Sequence, residues 1–279
     1  MKWFYIMLCA MFLLGCSSEA GTETEKAGGK GSTSQDEGTE KKSRNDDKEV
    51  DSKEEQAENK EENETEKTQT KPEYKMNEMY ALEPIADANP QVVLLTIDDA
   101  PDKYALDMAH ILKRLEAPAI FFVNGHFINT PEKEKMLKEI YDLGFVIGNH
   151  TYSHSDLTTL PEEKQLEEIV SVNDIVEKVT GERPKFFRAP FGKNTDKSKE
   201  IAAQEGMVLM NWTYGYDWES QYKTGDAISD IMVNTPYLQN GANLLMHDRE
   251  WTRDGLEKMV QGLREKGYDM ADPNLIAIE

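Results

Sequence analysis

Cysteine is nearly absent. The 279 residues hold only Cys9 and Cys16, both within the first sixteen positions. Beyond them the chain has no thiol nucleophile, no thiolate zinc finger and no disulfide scaffold. Positive charge is also scarce: 32 Lys and Arg stand against 53 Asp and Glu, a formal net charge of -21. Nucleic-acid binding needs a basic face, so no nucleic acid is expected as a partner. Charge-driven adhesion to an anionic membrane surface is excluded for the same reason. No long apolar run opens the chain. The uncharged stretch Trp3–Gly15 has thirteen residues, short of the ~20 a spanning helix requires. A mean hydropathy of -0.69 rules out a polytopic membrane protein.

The first fifteen residues read as a signal peptide: Lys2, an apolar core, then Leu13-Leu14-Gly15-Cys16. That ending resembles the lipobox of bacterial lipoproteins, which implies cleavage before Cys16 and lipidation of its thiol. The expected location is the cell membrane, anchored through Cys16 and facing the extracytoplasmic side. Residues 17–75 contain only Ala20, Ala27, Val50, Ala57 and Tyr74 as apolar residues, with eighteen acids against eleven bases. Such a segment cannot bury enough surface to offset its ordering entropy, and a disordered acidic tether is expected. About 60 flexible residues give a root-mean-square reach of roughly 40–45 Å, far enough to carry a domain out to a cell-wall polymer. The expected organisation is therefore a signal peptide (1–15), lipidated Cys16 with a charged linker (16–75), and a folded domain (76–279).

In the folded part, short apolar runs alternate with amphipathic stretches. Strands are predicted over 92–97, 119–123, 145–148, 186–187, 207–211, 243–246 and 275–278. Helices are predicted over 104–115, 132–143, 161–180, 197–205, 227–233 and 255–266. The long helix 161–180 has an apolar stripe through Leu166, Ile169, Val170, Val172, Val176 and Val179, interrupted by Asn173. The alternation predicts an α/β fold with a parallel sheet, open or closed into a barrel. In either, the working site lies at the carboxyl ends of the strands.

Polar residues gather at those ends. Thr96-Ile97-Asp98-Asp99-Ala100-Pro101 follows the first strand; a helix cap and turn would also account for it. Gly148-Asn149-His150-Thr151-Tyr152-Ser153-His154 follows the third. If it turns helically, the two histidines share one face, a spacing suited to a metal, with Asp98 or Asp99 able to supply a carboxylate. Arg188-Ala189-Pro190-Phe191-Gly192 offers an arginine that could hold a carboxylate. From Asn211 to Tyr222, five of twelve residues are aromatic, which fits a cleft wall for sugar rings. Leu244-Leu245-Met246-His247-Asp248 closes the set.

These five segments, in this order, resemble the polysaccharide deacetylases of the NodB-homology type, carbohydrate esterase family four. The resemblance covers roughly 91–279. It implies a distorted (β/α) barrel of the NodB-homology type, preceded by the tether. It implies a metal-dependent hydrolase that removes N-acetyl groups from amino sugars of cell-wall glycan, with peptidoglycan N-acetylglucosamine foremost. By the same resemblance Asp98 is the catalytic base and His247 the general acid. Arg188 orients the base and Asp217 holds Arg188. Asp99, His150 and His154 bind a divalent metal, zinc first, with cobalt or nickel as alternatives. Trp218 and Leu245 wall the acetyl pocket, and the backbone N–H of Phe191 completes an oxyanion site. The glycan is the expected partner; no protein partner is implied.

Three positions depart from the family pattern: Ile97 for Phe, Ala100 for Gly, and Ala189 for Pro. If position 100 needs a positive φ, Ala costs on the order of 1 kcal/mol there. The altered loop keeps open a catalytically weak glycan-binding lipoprotein that supports wall integrity, and, because the same machinery cleaves esters, an O-deacetylase on acetylated sugars is the other alternative.

Overall fold

The structure is a computed structural model and describes residues 71–278. The expected signal peptide, the lipidated Cys16 and nearly all of the linker lie outside the described residues. Among the described residues no helix is long and apolar enough to cross a membrane.

The folded part starts earlier than the expected boundary at 76. β1 (Tyr74–Met76) pairs antiparallel with β2 (Leu82–Pro84), and Tyr74 is buried against Leu82, Val92 and Ile276. A single aromatic in a polar run was enough to anchor the chain there. The predicted strand over 275–278 is instead a helical turn at Pro273–Leu275, with only an isolated bridge from Ile276 to Tyr74.

The main sheet is all parallel. Its strands are β3 (Val92–Ala100), β4 (Ala119–Val123), β5 (Val146–Asn149), β6 (Phe186–Phe187), β7 (Val208–Leu209), β8 (Tyr214–Gly215), β9 (Ala242–His247) and β10 (Asp269–Met270). They run in the order β7-β6-β5-β4-β3-β9-β8, with β10 on the first residues of β3. The sheet curls into a distorted (β/α) barrel with helices outside it: α1 (Ala105–Arg114), α2 (Pro131–Asp142), α3 (Glu162–Thr180), α4 (Asp196–Gln204), α5 (Gly225–Asn234) and α6 (Glu250–Glu265). The connection between β7 and β8 is tied to β9 at Asn243: its Nδ2 donates to the Asn211 carbonyl at 3.1 Å, and its backbone carbonyl accepts from Thr213 N at 2.8 Å.

β3 shows how the strand period aims the site. Val93, Leu95 and Ile97 pack outward against the helices, while Val92 and Leu94 pack inward with Ile120, Phe122, Phe186 and Met210. A period of two carries the inward set on to Thr96 and Asp98. Both are buried, so the strand delivers a hydroxyl and a carboxylate to the top of the barrel interior.

Local signals set the helix ends. Thr130 caps α2 ahead of Pro131, Thr195 and Ser198 form a capping box on α4, and Gly181 closes α3 with φ 84°. On α3, Leu166 is exposed and does not join the stripe, and Gln165 is buried in its place.

Candidate active site

Every site residue except Phe191 and the loop histidine His154 sits on a strand end or within a few residues of one. Asp98 and Asp99 lie in β3, His150 directly after β5, Arg188 directly after β6, Asp217 two residues after β8, and Leu245 and His247 in β9. Asp98 and His247 are register partners on adjacent strands. All of these strand-end residues but Arg188 and Asp217, together with His154, Phe191, Trp212, Trp218 and Arg249, line a cleft of about 450 Å³. Arg188 and Asp217 are fully buried behind that lining.

Arg188 is completely buried. Its Nη1 donates to Asp98 Oδ1 at 2.7 Å and to Thr96 Oγ1 at 2.9 Å. Its Nη2 donates to the Asn211 carbonyl at 2.8 Å and to Asn243 Oδ1 at 3.2 Å. The guanidinium lies 4.3 Å from the centre of the Phe122 ring. Burial by itself pushes the Asp98 carboxyl up, but Arg188 and then His150 and His247 outweigh it and hold it below its ordinary value. Removing the cation should be severe. Arg188→Met is expected to destabilise the fold by about 3–5 kcal/mol, because it strands a buried carboxylate; chemical denaturation midpoints measure it.

Asp217 does not hold Arg188, contrary to the expectation. It holds His247. Its Oδ1 accepts from His247 Nδ1 at 2.7 Å, and its Oδ2 accepts from the His247 backbone N–H at 2.6 Å and from Thr252 Oγ1 at 2.8 Å. Burial pushes the His247 imidazole down, yet the Asp217 carboxylate, with Asp98 and Asp99 behind it, raises it above the ordinary histidine value. With Nδ1 committed to Asp217, the ring turns its other nitrogen free for the cleft, and Trp218 stands edge-on against it at 5.6 Å.

The histidine pair is brought together, but not by a helix. The segment is a loop in which Thr151 and His154 have φ of 68° and 59°, and the two rings lie 5.0 Å apart. Glu168 on α3 clamps it by accepting from Ser153 N and Oγ at 2.8 and 2.6 Å. Asn149 accepts from Thr151 N at 2.8 Å and donates to Asn173 Oδ1 at 2.7 Å. That explains the polar break in the α3 stripe: buried Asn173 braces the loop from below.

His150 Nδ1 lies 2.7 Å from the Arg188 carbonyl. A carbonyl only accepts, so Nδ1 is the donor and Nε2 is the nitrogen turned to the cleft. That nitrogen is 4.0 Å from Asp99 Oδ1, and His154 Nε2 is 3.5 Å from the same oxygen. Burial, and then the adjoining His150, push the His154 imidazole down, so it is neutral and able to ligate. Asp99, His150 and His154 offer ligand atoms within 4.8 Å of one another. One carboxylate and two imidazoles fit a divalent transition metal with an open position. Asp98 Oδ2 also lies 3.5 Å from His150 Nε2, but Asp99 Oδ1 is the carboxylate oxygen within reach of both imidazoles, so Asp99 completes the ligand set and Asp98, tied through Oδ1 to Arg188, stands beside it.

The strain foreseen at position 100 falls elsewhere. The left-handed residue is Asp99, φ 62°; Ala100 has no positive φ and is buried in the core. Ala there is compatible with the loop, which Asp248 pins by accepting from the backbone N–H of Asp102 and Lys103 at 2.7 and 3.0 Å. Phe191 is exposed, with φ 60°, and its ring stands edge-on to His154 at 4.9 Å. Leu245 is buried under the cleft floor.

Sequence reading gave no role to Thr96, Asn243, Asp248 and Arg249, whereas Trp212 lines the cleft as the aromatic segment 211–222 suggested. A signal existed for two of them: Thr96 and Asn243 are polar residues inside otherwise apolar strands.

A family model described as polysaccharide deacetylase matches residues 86–210. The chain is 32% identical to a chitin deacetylase of Colletotrichum lindemuthianum, over 64% of this chain and 76% of that one. It is 28% identical to a peptidoglycan-N-acetylglucosamine deacetylase of Bacillus cereus, over 68% and 70%. It is 30% identical to the uncharacterised protein YlxY of Bacillus subtilis and spans 72% of this chain but 62% of that protein. Among solved structures, it matches a carbohydrate esterase family four pseudoenzyme of Bacillus anthracis with TM-score 0.60 and 28% identity, covering 67% of this chain and 66% of the other.

Proposed function

The chain belongs to the polysaccharide deacetylase family, and on that premise we propose that it is a metal-dependent N-deacetylase of cell-wall glycan. Its first substrate in this reading is the N-acetylglucosamine unit of peptidoglycan, and zinc is its metal. The observation that carries the reading is one juxtaposition: a carboxylate base, a carboxylate-bound imidazole and an Asp-His-His ligand set facing the same cleft.

When bound, the metal supplies a Lewis acid that polarises the acetyl carbonyl and acidifies a water. The protein's own groups do the rest. Asp98, ionised under Arg188, takes the proton of the attacking water. The Phe191 amide is the proposed donor to the oxygen on which charge develops. His247, protonated on its free nitrogen through its pairing with Asp217, gives a proton to the departing amine. The C–N bond breaks and acetate and a glucosamine remain. Trp218 and Leu245 bound the acetyl methyl, and Trp212 extends the aromatic wall. The anchor at Cys16 and the acidic tether would present this domain to the wall outside the membrane.

The relatives named as peptidoglycan and chitin deacetylases support the reaction class. The pseudoenzyme relative makes a weak glycan-binding lipoprotein the reading to exclude. Purified peptidoglycan should release acetate with the protein, lose that release with chelator, and regain it with zinc. Neutral N-acetylglucosamine oligomers and an O-acetylated sugar run beside it. Metal-loaded protein that releases no acetate from any of them is the binding lipoprotein; faster release from the ester marks an O-deacetylase.

A further inference from the structure

Asp99 has two oxygens with two different neighbours. Oδ1 faces His154 and His150, at 3.5 and 4.0 Å. Oδ2 accepts a hydrogen bond from Arg249 Nη2 at 2.9 Å. Arg249 stands just before α6, lines the cleft and has a side chain 41% exposed. Among the described residues Asp99 is its one ion-pair partner. The other arginine of the site, Arg188, is fully buried and holds Asp98 instead. Each of the two adjacent aspartates therefore has its own guanidinium.

We propose that Arg249 is a positioning residue that competes with the metal for Asp99 and makes the site a weak, readily exchanged one. The inference rests on reading Asp99, His150 and His154 as the metal site. The formal negative charge of that set is on Asp99, and the Arg249 guanidinium already neutralises it; the neighbouring Asp98 carboxylate, 3.5 Å from His150 Nε2, is likewise neutralised by Arg188. A divalent cation must then share the carboxylate with a like-charged neighbour, and like charges a few ångströms apart repel.

Arg249 also holds Asp99 in place, which favours binding. That gain is small, because Asp99 lies between the paired residues Asp98 and Ala100 of β3, its side chain is only 14% exposed, and the histidine loop is braced independently by Glu168 and Asn149. Little freedom is left for Arg249 to remove, so the charge effect wins. The functional consequence is activity that follows metal supply.

The test is zinc affinity by equilibrium competition with a chromophoric chelator, using the whole protein. Arg249→Gln keeps a donor for Asp99 and removes the charge; Arg249→Met removes both; Arg249→Lys keeps the charge. Gln and Met are expected to tighten zinc at least tenfold, and Lys to stay within threefold of wild type. Unchanged or weaker zinc in the Gln variant overturns the proposal, as does equal tightening by Lys. Circular dichroism of each variant shows that it is folded. Wild-type binding that survives Asp99→Asn would remove the site and the inference together. Zinc binding without acetate release would refute only the deacetylase reading.

Discussion

Asp98→Asn is expected to lower kcat for acetate release by on the order of a thousandfold, within the range general-base catalysis supplies. The substitution is nearly isosteric and keeps an oxygen for Arg188 Nη1. Arg188 retains Thr96, Asn243 and the Met210 and Asn211 carbonyls, so the guanidinium stays solvated by protein and the fold survives. What is lost is the negative charge that accepts the proton of water. In wild type Arg188, His150 and His247 hold Asp98 below the ordinary carboxylate value. The base is therefore already ionised at neutral pH, and the acid limb of the rate profile should lie below the ordinary carboxylate range. Activity is present above that limb and lost as pH falls through it. Initial rates of acetate release, with a melting curve on the same sample, decide the matter. An Asn variant that keeps a tenth of wild-type kcat would remove Asp98 as the base.

How much of this was legible follows from which interactions are local. The strand–helix alternation is local, and it placed β4 and β6 to the residue because their apolar runs are bounded by turns. Aligned strand ends then bring Asp98, His150, Arg188 and His247 together without further information. Pairings among those residues are another matter. Asp217 could serve Arg188 or His247 as far as spacing goes; only the position of β8 beside β9, with Thr252 of α6 closing the other oxygen, sends it to His247. The helical geometry expected for His150 and His154 failed because two left-handed residues, paid for by the Glu168 and Asn149 contacts, shape the loop. Arg249 was invisible because its partner lies 150 positions away. The two-residue strands β8 (Tyr214–Gly215) and β10 (Asp269–Met270) have neither a period nor, unlike β6, an apolar run to mark them.

Asp217→Asn should separate the acid from the base in one measurement. His247 is held above the ordinary imidazole value because Asp217 stabilises its cationic form. A raised value means the ring stays protonated to higher pH. The general-acid limb therefore lies on the alkaline side, with activity present below it and lost as pH rises through it. An amide cannot supply that charge, and its NH₂ would face the His247 backbone N–H or the Thr252 hydroxyl. The limb should move down, because burial of the ring then acts without the Asp217 charge to oppose it. The loss in kcat should be largest at high pH, on the order of a hundredfold at pH 8 and much smaller near pH 6. KM should hold, since buried Asp217 does not line the cleft. One unpaired buried donor should also cost about 1–3 kcal/mol of stability. A loss in kcat equal at every pH, with the alkaline limb in place, would mean that Asp217 only fixes the backbone at His247 and the start of α6, and that the proton reaching the amine comes from elsewhere. A moved limb with an intact acid limb would assign the two ionisations to His247 and Asp98 separately. The direct Asp217–His247 bond and the absence of any Asp217 contact with Arg188 among the described residues require that separation.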